Sequence, residues 1–248
     1  MTVAVLQFPG SNCEQESIDA LRRLNIPYQL VEWNSTQSLD PFNGFLLPGG
    51  FSYQDRIRAG VIAAKCSLIE QLKLPSNCEK PILGICNGAQ ILAESGLLSS
   101  GHQLDHMIDH NIVEDCPIGF VCDWGFLTPF NPSHNVFLSS LSDGDVLPIQ
   151  ICHGEGRFLF STPPMSGLKY TDIHGECSEM SPITPNGSTN GIAALSNDLG
   201  NILAIMPHPE RSLMPSRYPL SIQVQAKKNN QRLVNFSALF QGFKGTPS

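Results

Sequence analysis

The chain predicts an α/β fold with a parallel sheet, on two observations. From residue 2 to about residue 95, short β-rich runs alternate with longer amphipathic segments, which is the pattern of successive βαβ units. The 248 residues are 41% hydrophobic and 15% charged, enough apolar material for a sizeable core and too little charge for disorder. One domain over residues 1–248 is therefore expected, with no repeat, low-complexity block or linker to divide it.

Strands are expected at residues 3–8, 28–31, 45–47 and 82–85, each a short apolar run of the kind a parallel sheet buries on both faces. Residues 14–24 place Ile18, Leu21 and Leu24 at helical spacing, and residues 58–72 do so with Val61, Ile62, Leu68 and Leu72. Both read as crossover helices. A third helix should start just after Cys86 and turn Ala89, Ile91 and Leu92 inward. In residues 100–190 the apolar runs are short and broken by Pro117, Pro129, Pro132, Pro148, Pro163 and Pro164, which predicts strands and loops. Residues 192–195 and 202–205 then pair around the turn-rich Asn197-Asp198-Leu199-Gly200, and a helix over residues 231–240 closes the chain.

The net charge of −7 is the wrong sign for a surface that tracks a phosphate backbone, so no nucleic-acid partner is expected. No apolar run suggests a membrane partner, and the opening Met1-Thr2-Val3-Ala4-Val5-Leu6 lacks the basic stretch of a secretory leader. Eight cysteines (13, 66, 78, 86, 116, 122, 152 and 177), in a chain with core enough to need no staples, read as thiols in a reducing cytoplasm. No Cys-x-x-Cys pair occurs, and Cys116 and Cys122 match no structural zinc spacing, so no metal site is expected.

The most informative segment is Gly84-Ile85-Cys86-Asn87-Gly88, which follows an apolar run and precedes a helix. It is the cysteine form of a nucleophile elbow: small flanking residues let the chain turn sharply and present the side chain above the sheet. A helix N-terminus there favours the thiolate, the species that attacks a carbonyl carbon. The competing reading of Cys86 is a small buried hydrophobe, which the paired glycines disfavour. Acyl transfer also needs a base and a group to orient it. Met206-Pro207-His208-Pro209-Glu210-Arg211 supplies both, with prolines to stiffen the loop, although alone it would also suit a surface histidine beside a salt-bridged glutamate. Gly49 and Gly50, after the run at residues 45–47, would let the chain bring backbone N–H groups close to an oxyanion, with the Asn87 N–H as the natural second donor, although alone a Gly-Gly after a strand would also suit a plain turn. His153-Gly154-Glu155-Gly156 could be a second acid–base pair, but its glycines favour a close-packed loop; Cys13 reads as a structural thiol.

In this order and at about these separations, Leu47-Pro48-Gly49-Gly50, Gly84-Ile85-Cys86-Asn87-Gly88 and Met206-Pro207-His208-Pro209-Glu210-Arg211 resemble the class I (triad) glutamine amidotransferases over nearly the whole chain. Pro9-Gly10-Ser11-Asn12-Cys13, Gly50-Phe51-Ser52-Tyr53, His153-Gly154-Glu155-Gly156-Arg157-Phe158 and Pro185-Asn186-Gly187-Ser188 are similar to the branch of that family serving purine biosynthesis. The resemblance implies a flavodoxin-like open, mostly parallel sheet with helices on both faces. It implies Cys86, His208 and Glu210 as triad, Gly49, Gly50 and Asn87 around the oxyanion, and glutamine held by Gln90, Phe51, Ser52, Asn186, Gly187 and Ser188. It also implies hydrolysis of L-glutamine, with ammonia passed to a separate synthase subunit that amidates formylglycinamide ribonucleotide using ATP and Mg²⁺. A small third subunit is a further partner on this reading. No cofactor is expected in this chain itself, which has neither a phosphate loop nor a dinucleotide fingerprint. The chain departs from the family at Gln54-Asp55, where Gly-Asp is usual, and at Asp123, where a basic residue usually precedes the tryptophan. The readings weighed against this one are a triad glutaminase of another pathway, a γ-glutamyl hydrolase, a related cysteine peptidase and a catalytically silent scaffold.

Overall fold

The computed structural model describes residues 1–99, 105–228 and 233–244. The first part of the chain runs β1 (Val3–Gln7), α1 (Glu14–Arg23), β2 (Tyr28–Glu32), β3 (Gly44–Leu47), α2 (Ser67–Leu72), α3 (Pro75–Cys78), β4 (Ile82–Ile85) and α4 (Asn87–Ser95). There follow β5 (His106–Asp109), β6 (Ile112–Val113), β7 (Cys116–Pro117), β8 (Val121–Phe130), β9 (Leu147–His153), β10 (Arg157–Phe160) and β11 (Gly167–Thr171). The chain ends with β12 (Ile192–Ser196), β13 (Ile202–Ile205), α5 (Leu220–Lys228) and α6 (Ser237–Phe240).

Nine strands form one sheet in the order β2-β1-β3-β4-β13-β12-β11-β8-β9. Every pairing from β2 to β13 is parallel, and every pairing from β13 to β9 is antiparallel. The parallel half comes from the runs predicted as strands, and β3, β4 and β13 are buried along their whole length, as strands covered on both faces must be. The antiparallel half is supplied by the proline-broken stretch together with β12, which pairs with β13 as the sequence predicts. Among the helices, α4 packs on β3, β4 and β13, with Ala89, Ile91 and Leu92 inward and fully buried, and α1 packs on β1 and β2. The loops leaving β1, β3, β4 and β13 all emerge at the carboxyl ends of parallel strands, where open α/β sheets gather their ligands.

Residues 58–72 do not form one helix. Gly60 has φ +78° and lies against α4 so closely that a Cβ there would stand 2.7 Å from Ile91 N. Ala63–Lys65 makes a single 3₁₀ turn, Cys66 is extended at ψ 154°, and only Ser67–Leu72 is α-helical. Packing against α4 overrides the local spacing. The closing helix is shorter than its expected range, covering Ser237–Phe240, and residues 231 and 232 of that range lie outside the described residues. The sequence pattern missed α5, which buries only Ile222 and Ala226 and leaves Leu220 and Val224 exposed, so no apolar stripe marks it. No helix among the described residues is long and apolar enough to cross a membrane.

Candidate active site

Between β4 and α4, Cys86 adopts φ 51° and ψ −108°, a conformation that costs a non-glycine residue on the order of 1–3 kcal/mol. The surroundings impose it. The Cys86 N–H donates to Ile205 O at 2.8 Å. A Cβ on Gly84 would lie 2.5 Å from Leu92 Cδ1, and one on Gly88 would lie 2.0 Å from Leu47 O. Both flanking positions thus admit only glycine, and the first turn of α4 settles directly on β3 and β4. The Cys86 thiol is left 8% exposed, with a long contact of 3.7 Å to Cys152 O.

His208 and Glu210 follow β13. His208 Nδ1 and Glu210 Oε1 are 2.6 Å apart, with side chains 2% and 0% exposed. Burial opposes charge on the imidazole, but the negative charges of Glu210 and Cys86 outweigh it and hold His208 well above its ordinary value. The His208 N–H donates to Gln150 O at 2.9 Å, tying the loop to β9. Gly49 completes the convergence: a Cβ there would be 3.0 Å from His208 Cε1, 3.2 Å from Cys13 Sγ and 3.4 Å from Cys86 Cβ. Among the described residues the Gly50 and Asn87 N–H groups have no acceptor, while Asn87 Oδ1 accepts from the Ser52 N–H at 3.1 Å.

These groups open into a cavity of about 290 Å³. Gly50, Phe51, Cys86, Gln90 and His208 line it, together with Asn12, Cys13, Asp55, Phe120, Arg211 and the β9 end from Cys152 to Glu155. The Gln90 amide is engaged there, donating to Glu155 O at 2.7 Å and accepting from Asn87 Nδ2 at 2.9 Å. Ser52 is buried and does not line the cavity. Neither do Asn186, Gly187 and Ser188, which stand behind its wall. Asn186 Nδ2 donates to Gly156 O at 2.7 Å, Ser188 Oγ accepts from the Phe158 N–H at 3.0 Å, and Gly187 packs on Ile112.

His153 is buried and pushed down to about 3, by burial first and then by the charge of His208, so it is neutral and carries no extra proton. Its Nε2 lies 3.5 Å from the Tyr170 hydroxyl. Cys13 lies buried beside Gly49 and donates to Asn12 Oδ1 at 3.2 Å; burial, then the Glu210 charge, pushes its thiol far up. Sequence reasoning assigned no role to Asp55 or Arg211. Burial, then the charge of Glu155, raises Asp55 to about 6. Arg211 grips Glu16 with two bonds, of 3.1 and 2.9 Å, and also donates to Cys13 Sγ at 3.4 Å. An Asp two residues after Gly-Phe-Ser-Tyr and an Arg next to His-Pro-Glu were visible signals; their convergence was not. Among the described residues no group of three His, Cys, Asp or Glu side chains is placed to hold a metal ion.

Fold and site together define an α/β protein with a cysteine at a strand–helix elbow and a carboxylate-held histidine facing the same cavity. Residues 1–241 match the family of CobB/CobQ-like glutamine amidotransferase domains, and the chain belongs to that family. It is 38% identical to the phosphoribosylformylglycinamidine synthase subunit PurQ of Methanothrix thermoacetophila, over 88% of this chain and 91% of that one. The PurQ subunit of Pyrococcus horikoshii is 36% identical over 84% of this chain and 88% of its own. A chain in the structure of PurLQS from Thermotoga maritima superposes with a TM-score of 0.74 at 27% identity, covering 98% of this chain and 97% of that chain.

Proposed function

We propose that this chain is the glutaminase subunit of a phosphoribosylformylglycinamidine synthase, hydrolysing L-glutamine to glutamate and ammonia for purine biosynthesis. One observation carries the reading: Cys86 is held in a strained elbow against a cavity that His208, itself held by Glu210, also lines. The names and coverage of the PurQ relatives support the pathway, and the PurLQS likeness supports a synthase partner.

In the reaction, the Cys86 sulfur attacks the side-chain amide carbon of glutamine, and the carbonyl oxygen takes the negative charge. The Gly50 and Asn87 N–H groups, which have no acceptor among the described residues, receive that oxyanion, with Gly49 between the reacting side chains. His208 is poised to act first as an acid, because its neighbours favour its protonated form, and it gives the proton to the departing ammonia. Neutral His208 then takes a proton from water, which cleaves the γ-glutamyl thioester and releases glutamate. Gln90, Phe51 and the Glu155 wall shape the glutamine pocket; Asn186, Gly187 and Ser188 back that wall, and Ser52 holds the Asn87 side chain that meets Gln90. ATP and Mg²⁺ act on the synthase subunit, which amidates formylglycinamide ribonucleotide; a small third subunit completes the assembly. Residues 1–248 act as one glutamine amidotransferase domain, and the eight free thiols suit a cytoplasmic location.

The test is glutamate release by wild type and by Cys86→Ala, each alone and then with the synthase subunit, formylglycinamide ribonucleotide and ATP. Release that depends on the synthase and disappears in the variant is expected. Release indifferent to the synthase would remove the purine assignment, and full activity in Cys86→Ala would overturn the mechanism.

A further inference from the structure

Cys122 on β8 and Cys152 on β9 are direct cross-strand partners, and their sulfur atoms lie 3.9 Å apart as free thiols. Directly opposed residues of antiparallel strands have Cα atoms about 4.5–5.5 Å apart, inside the roughly 4.4–6.8 Å that a disulfide accepts. Closing the bond therefore asks for side-chain rotation and little backbone movement. Access is uneven in a useful way. Cys122 is exposed, Cys152 is half-buried and lines the Cys86 cavity, and β9 is the last strand of the sheet. The Cys122 thiol titrates above its ordinary value chiefly because Cys152 sits against it, so the attacking thiolate is a minor fraction at neutral pH.

We propose that Cys122 and Cys152 are a reversible thiol-oxidation site, closed by small disulfides such as glutathione disulfide, that acts on the wall of the Cys86 cavity. The exposed Cys122 thiolate attacks one sulfur of glutathione disulfide, forming a mixed disulfide and releasing one glutathione thiol. Cys152, having lost its proton, then displaces the second glutathione thiol. The protein gives up two electrons and two protons, and one glutathione disulfide becomes two glutathiones. The new bond pulls on residue 152, whose carbonyl faces the Cys86 thiol, and on the strand whose Gln150 carbonyl holds the His208 N–H. A shift of about 1 Å near reacting groups costs on the order of a hundredfold in rate, and the smaller movement that closing this bond requires is expected to cost about tenfold.

The effect on activity rests on the glutaminase reading; the bond itself does not. Wild type and Cys122→Ser are equilibrated with glutathione disulfide, mapped by peptide mass spectrometry, and assayed for glutamate release with the synthase subunit present. The expected result is a Cys122–Cys152 cross-linked peptide in wild type only, with release lost and then restored by dithiothreitol, while Cys122→Ser keeps its release. Free thiols or separate glutathione adducts at both positions would overturn the site. Equal loss in both proteins would assign the inhibition to Cys86, and a mapped bond with unchanged release would remove its hold on the cavity. Reduced wild type that never releases glutamate would sink the glutaminase reading, and the peptide map alone would then decide whether the pair closes.

Discussion

Replacing Gly49 by alanine adds one methyl group at the centre of the site. Its carbon would sit 3.0 Å from His208 Cε1, 3.2 Å from Cys13 Sγ and 3.4 Å from Cys86 Cβ. Carbon atoms in good contact stand about 3.5–4.0 Å apart, so the imidazole must give way by a few tenths of an ångström. It has little freedom to do so, because Glu210 holds its Nδ1 at 2.6 Å and Gln150 O holds its backbone N–H at 2.9 Å. Overpacking of this kind costs about 1–3 kcal/mol of stability, which leaves a folded protein. Catalysis is affected more severely: displacing a reacting group by about 1 Å costs roughly a hundredfold, or about 2.7 kcal/mol of barrier. The smaller shift forced here should lower glutamate release by about tenfold in Gly49→Ala while its urea midpoint shifts only modestly, since apolar burial elsewhere is untouched. Release within about twofold of wild type, less than about 0.5 kcal/mol of barrier, would refute the crowded geometry on which the active-site reading stands.

Glu210→Gln removes the charge that keeps the proton on His208, and release should fall by about a hundredfold or more, the usual worth of an oriented base. Because the folded His208 value is raised above its ordinary 6.5, its stabilisation is full below that pH and is lost as pH rises through the raised value. The stability gap between wild type and Glu210→Gln, read by urea titration, should narrow accordingly on going alkaline. Asp55→Asn should behave in the opposite sense: the folded carboxyl is raised from 3.8 to about 6, so its penalty is complete above about 6 and absent below 3.8. The variant should gain stability over wild type at neutral pH and lose that advantage as the pH falls towards 3.8, by the same titration. Gln54→Gly should raise the thermal midpoint, because Gln54 sits at φ 61° and ψ 27°, where a side chain costs about 1–2 kcal/mol. The lost Arg56–Gln54 bond is exposed and takes back little of this.

The family's usual glycine at position 54 now has a physical reading in this chain. Tyr53, Gln54 and Asp55 all have positive φ, so the loop over the cavity keeps its left-handed path even without the glycine. The other departure, Asp123, is exposed on β8 and accepts from its neighbour's Trp124 N–H at 2.7 Å, away from the cavity. In His153-Gly154-Glu155-Gly156 a histidine near an acid is chemically suggestive, but its glycines already favour a close-packed loop over an acid–base pair. Burial beside His208 keeps His153 neutral, which no local window could report.

The parallel strands, the elbow at Cys86 and the pairing of His208 with Glu210 were legible in the amino-acid sequence, because each is encoded in a few contiguous residues. Two glycines flanking a cysteine, or prolines flanking a histidine two residues before a carboxylate, carry their geometry with them. Long-range packing, by contrast, breaks residues 58–72 at Gly60, where α4 presses on the backbone. The same packing places Asn186 and Ser188 behind the cavity wall, sets Asp55 against Glu155, and brings Cys122 into register with Cys152. Hydrophobic periodicity reports that a side chain is buried but not what it is buried against. Partners far apart in the chain are fixed by strand order and packing, and those follow from the whole core at once.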